Sequence, residues 1–121
     1  MPPTDPGPKT PIGALGEALS LVFKAIALAE KGLAKNPSTE EERELNETLN
    51  ELELQRAEIQ AKMDALIANT REVAGPTPAQ VARISALTAE VGAQTNASVT
   101  ASGAVALSSR VLALATDVAS A

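Results

Sequence analysis

Apolar residues in this chain recur at alternating three- and four-residue steps, and the pattern is interrupted at prolines. That alternation marks helices packed along a seam. Ile12, Leu15, Leu19, Val22, Ile26, Ala29 and Leu33 form one series. Leu45, Leu52, Ile59, Leu66 and Val73 form a cleaner one at seven-residue spacing, supplemented by Leu49 and Met63. Ile84, Val91, Val105 and Leu112 repeat the spacing, with Ser98 in the same series. Pro2, Pro3, Pro6, Pro8 and Pro11 crowd the start, and Pro37, Pro76 and Pro78 mark two later junctions. Proline inside a helix removes a hydrogen bond and clashes with the preceding turn. The pattern therefore predicts a Pro-rich leader over 1–11 and a single helical domain over 12–121, with helices over about 12–35, 39–73 and 78–119.

Capping signals sit at each predicted start. Thr10 precedes Pro11, which suits the first helical position. Ser38 with Glu41, or Thr39 with Glu42, forms a capping box, and Glu40, Glu41 and Glu42 suit the positive end of the helix dipole. Thr77, Pro78 and Gln80 repeat the box, and Gly75 is placed to end the second helix in a left-handed conformation. The short Asn36-Pro37-Ser38 junction turns the second helix back on the first. The expected fold class is all-α: an antiparallel three-helix array dominated by a long, coiled-coil-like hairpin of the second and third helices. Leu45, Leu52, Ile59 and Leu66 would meet Ile84, Val91, Val105 and Leu112 in the core of that hairpin.

Composition narrows the chemistry. The chain has 121 residues, one Phe, and no Trp, Tyr, Cys or His. Without cysteine there is no disulfide and no thiolate ligand or nucleophile. Without histidine the usual general base and the Glu-x-x-His pairs of di-iron bundles are missing. Ser and Thr are plentiful, yet none has a neighbour in the pattern that would activate it. Glu40/Glu44 and Glu47/Glu51 lie one turn apart, which reads as a solvated acidic face. A net charge of −5 disfavours nucleic acid. No catalytic, cofactor-binding or metal residue is expected, and no enzyme. The leader lacks the basic start of a secretory signal, so the expected location is the cytoplasm.

The third predicted helix is unusual because no charge occurs between Glu90 and Arg110. Ala, Ser, Thr, Gly, Val, Asn and Gln fill that interval, and Gly92 and Gly103 are candidate bends or close contacts. A large uncharged surface marks an interaction site. Ala93, Ser98, Gly103 and Ala106 are the residues expected to allow close approach between copies. The partner would be the chain itself or a partner helix. A membrane span is disfavoured, since Gln94, Asn96 and many hydroxyls replace the Leu and Ile a span needs.

The run from Ala93 to Ala106 resembles the signature stretch of the R-body subunit family, the killing-trait proteins of bacteria. Gln94, Thr95, Asn96, Val99, Gly103 and Ala104 carry the likeness. It covers about a third of the chain. The proline usual near Val105 and the aromatic beyond it are absent here. The resemblance implies a small helical subunit that polymerises into a coiled ribbon, with no enzymatic activity. The expectation is thus a structural, self-assembling protein. The alternatives are a membrane-active helical effector that inserts its first helix, or a small adaptor or antitoxin-like module binding a larger protein.

Overall fold

The computed structural model describes residues 10–68, 75–95 and 97–120. They form four helices: α1 (Pro11–Leu33), α2 (Thr39–Ala68), α3 (Pro78–Gly92) and α4 (Ala101–Ser120). The all-α class holds. The third predicted helix, however, is two helices, and the hairpin expected between it and α2 is not formed.

The caps start the helices as their chemistry dictates. Thr10 Oγ1 accepts from the Gly13 N–H at 3.1 Å. Of the two candidate boxes at the second start, Ser38/Glu41 forms: the Ser38 N–H donates to Glu41 Oε1 at 2.9 Å and the Glu41 N–H to Ser38 Oγ at 3.1 Å. Thr77 and Gln80 make the same reciprocal pair. The left-handed backbone expected at Gly75 occurs instead at Asn36, with φ 53°, just before Pro37. Gly75 is needed for another reason. A Cβ there would lie 2.9 Å from the Pro11 Cβ, where the chain entering α3 crosses the start of α1. Residues 69–73 of the second predicted helix, including Val73, lie outside the described residues.

The break after α3 has two causes. A continuous helix over 78–119 would run about 63 Å, against about 35 Å for α1 and about 45 Å for α2, and would overhang both. Local chemistry also favours the break, because hydroxyl side chains offer the backbone partners other than helical carbonyls. The Thr95 N–H donates to Ser98 Oγ at 2.8 Å, and the Ser98 N–H to Thr95 Oγ1 at 3.1 Å. Thr100 then caps α4, accepting from the Gly103 N–H at 3.0 Å. α4 can therefore double back along α3.

The helices run up, down, up, down. Gly32 near the end of α1 meets Leu45 of α2 and Ala104 of α4. Arg83 early in α3 reaches Asp117 late in α4. α1 and α4 form the central pair, with α2 on one flank and α3 on the other; α2 and α3 share no contact among the described residues. Leu45, Leu52, Ile59, Ile84 and Val91 lie buried in one apolar core with Leu15, Leu21, Val22, Val111 and Leu114. Leu66, Val105 and Leu112 pack against its edge, half-buried. The eight residues assigned to a hairpin thus serve a four-helix core.

Candidate interaction surfaces

α3 and α4 bury Ile84, Leu87 and Val91, and Ala104, Leu107, Val111, Leu114 and Val118, on their inward faces. Their outward faces are left with Ala82, Ala86, Ala89, Ser102, Ala106, Ser109 and Ala113, all exposed. Ala93, Ser98, Gly103 and Ala106 are exposed too. They do not share one helix stripe: Ala93 caps α3, Ser98 lies in the connection, and Gly103 and Ala106 occupy the first turns of α4. The structure gathers them around the α3–α4 turn.

The electrostatics of this flank are closed on themselves. Arg83, Glu90, Arg110 and Asp117 are its only charged residues over 78–120. Arg110 grips Glu90 with two hydrogen bonds of 2.9 Å, and Arg83 pairs with Asp117 at 3.5 Å. Hydrogen bonding from Arg110 holds the Glu90 carboxyl below the ordinary carboxylate range, and Glu90 in turn raises the Arg110 guanidinium. Both cations and both anions of the flank are consumed in tying α3 to α4.

Of the residues quoted for the family likeness, Gln94 and Thr95 lie in the connection. Val99 and Ala104 are buried in the bundle, and Gly103 is exposed. Asn96 lies outside the described residues. Several hydroxyl groups in this part of the chain bond back to their own helices. Thr88 donates to the Ile84 carbonyl at 2.7 Å, Thr116 to the Leu112 carbonyl at 2.9 Å, and buried Ser108 to the Ala104 carbonyl.

A second surface, on α1, was not legible in the pattern. Phe23 is 52% exposed, and Ile12, assigned to the seam, is 41% exposed. Leu21 and Leu28, which widen the same helix's apolar surface, are buried. The Arg56 guanidinium of α2 sits over the Phe23 ring, 5.7 Å from its centroid. Phe23 walls an open groove of about 540 Å³ between α1 and α2, lined also by Gly16, Leu19 and Met63. On the other side of α1, towards α3, run two smaller grooves. One, of about 300 Å³, includes Glu17, Ser20 and Thr88; the other, of about 240 Å³, includes Lys24, Lys31 and Gly92. α1 thus stands as a ridge with a furrow on each side. The available signal was phase: Phe23 follows seam residue Val22 directly and precedes Lys24.

α2 presents the acidic flank. Arg43 bridges Glu40 and Glu47, the latter at 2.9 Å, so each of the two acidic pairs along this face has a member engaged by a cation. These hydrogen bonds, Glu40's first, raise the Arg43 guanidinium above its ordinary value. Lys62 of the same helix is packed in, 8% exposed. Among the described residues no group of three or more acidic side chains converges on a point that could hold a metal ion. No family model, no curated protein and no solved structure matches this chain.

Proposed function

We propose that this chain is a non-enzymatic helical building block that works by associating with copies of itself, in the manner of a ribbon-forming R-body-like subunit. One observation carries the reading. After the bundle has packed, the α3–α4 flank keeps an exposed surface of Ala, Ser, Gly and Thr, and all four of its charges are spent in internal pairs. A surface so poor in free ions is weakly solvated, and its small side chains allow another backbone to approach closely. The setting proposed for such a subunit is the cytoplasm.

Sedimentation of the full chain tests this. The wild type should form species larger than a monomer as concentration rises. Ala106→Glu should reduce them, whereas Ala57→Glu, on the exposed α2 surface, should not. Gly103→Leu should also block assembly with helicity intact. Ala106→Glu is the cleaner probe, because a Cβ at Gly103 meets Thr100 Oγ1 at 2.9 Å. Unchanged assembly of Ala106→Glu would remove the flank from the interface. A second reading, membrane insertion, draws on α1, which by length and composition could cross a membrane although half of its most apolar window is buried. Failure to float with liposomes of any composition would remove that reading.

A further inference from the structure

The ridge of α1 is self-complementary. Glu17 and Lys24 both line grooves on its α3 side, seven residues apart, and Ser20 sits near the midpoint between them; Ser20 and Lys24 crown the ridge, since they line the α2-side groove as well. On the α2 side, Gly16 and Phe23 share one groove and are also seven residues apart. A two-fold axis perpendicular to α1 and just outside the ridge near Ser20 sets a second α1 antiparallel to the first and keeps each flank facing its own kind. Glu17 of each copy then faces Lys24 of the other, and Phe23 of each copy faces Gly16 of the other.

That juxtaposition suits the local shapes. A Cβ built on Gly16 meets nothing within 4 Å, so the groove floor is open there, and the groove is roomier than a phenyl ring. Phe23 is the chain's one aromatic residue and stands half out of its own fold. The face is also balanced in charge, since α1 carries Glu17, Glu30, Lys24 and Lys31. Two copies of a chain with net charge −5 can meet here without stacking like charges.

We propose that the outer face of α1 is a two-fold docking surface for a second copy of this chain, seating Phe23 over the partner copy's Gly16 between reciprocal Glu17–Lys24 pairs. This rests on the self-association reading and adds a second, isologous contact to the α3–α4 flank. One isologous contact closes a dimer; two different contacts are what a continuing ribbon requires.

The test is sedimentation velocity with light scattering on the full chain, from micromolar to millimolar concentration. In an Ala106→Glu background, with the flank disabled, assembly should stop at a dimer. Adding Gly16→Leu should then leave a monomer, and circular dichroism should show its helices intact, because the site is open. Lys24→Glu should raise the dimer dissociation constant by about tenfold or more, and the exchange Glu17→Lys/Lys24→Glu should return it to within about threefold of the parent. A dimer indifferent to Gly16→Leu, or a charge exchange that rescues nothing, overturns the inference. An Ala106→Glu chain that stays monomeric while the wild type assembles overturns it and leaves the flank standing. A wild type that is monomeric throughout overturns both.

Discussion

Two glycines of α1 should respond to the same substitution with opposite sign. At Gly32 an added Cβ would lie 2.5 Å from the Ala104 Cβ and 3.3 Å from Leu45 Cδ1. Non-bonded carbons rest at about 3.5–4.0 Å, so Gly32→Ala requires α1 and α4 to part by about 1 Å. Overpacking of that kind costs about 1–3 kcal/mol. The helix preference of Ala over Gly returns about 1 kcal/mol in a helix interior, and less next to the last residue of α1. The net expectation is a loss of up to about 2 kcal/mol. At Gly16 the same Cβ meets nothing, so Gly16→Ala should gain up to about 1 kcal/mol. For a chain of this size, about 4 °C per kcal/mol, Tm should fall by up to about 8 °C in the first case and rise by about 4 °C in the second. Thermal and urea unfolding followed by circular dichroism read both. A Gly32→Ala protein as stable as Gly16→Ala would show that α1, α2 and α4 do not converge at Gly32, and the packing of α4 in the bundle would have to be redrawn.

Leu52 is fully buried and Leu54 is 56% exposed, so Leu52→Ala should cost about 2–5 kcal/mol in urea unfolding while Leu54→Ala stays within about 0.5 kcal/mol. Thr100→Ala should lower stability by about 1 kcal/mol, since Thr100 caps α4; an unchanged midpoint would argue against that cap. The Glu90 carboxyl sits below its ordinary value of 4.5 in the folded state, so the Glu90–Arg110 pair stabilises above that value and its contribution is lost as pH falls through the folded one. The wild type should therefore exceed Glu90→Gln in stability at neutral pH by a small margin, as suits an exposed pair, and converge with it in acid. A margin constant across pH would mean that the pair does not form.

What could be read from the chain followed from local chemistry. The proline breaks, Thr10, Ser38/Glu41 and Thr77/Gln80 located helix starts because each cap is made within four residues of sequence. The seven-residue series found buried positions because a helix repeats its faces regardless of what covers them. Partner choice was not so encoded. Leu45 and Ile84 are equally apolar whether they face each other or both face α1 and α4, and the choice depends on chain length against the bundle's length. The break at 93–100 has a local signal, namely Thr95-x-x-Ser98 followed by Thr100, in which hydroxyls can replace helical hydrogen bonds, but the seven-residue series runs across it unbroken. The Phe23 groove had almost none, since an exposed aromatic one position off the seam looks in sequence like a wider core.

Charge segregation gives the bundle two unlike sides, and this bears on how copies could meet. α2 carries nine acidic residues against three basic ones, a greater excess than the whole chain's net charge of −5. α1 is balanced, and so are α3 and α4 taken together. Because α2 and α3 flank the central pair on opposite sides, the repulsive surface lies away from the neutral one. Association through the side of α2 turned away from α1 would bring like charges together with few cations to answer them, since Arg43 is already held by Glu40 and Glu47. In the proposed assembly the acidic flank acts as a guide by exclusion. It keeps that side in water and leaves the α1 ridge and the α3–α4 flank as the faces on which a growing assembly could close.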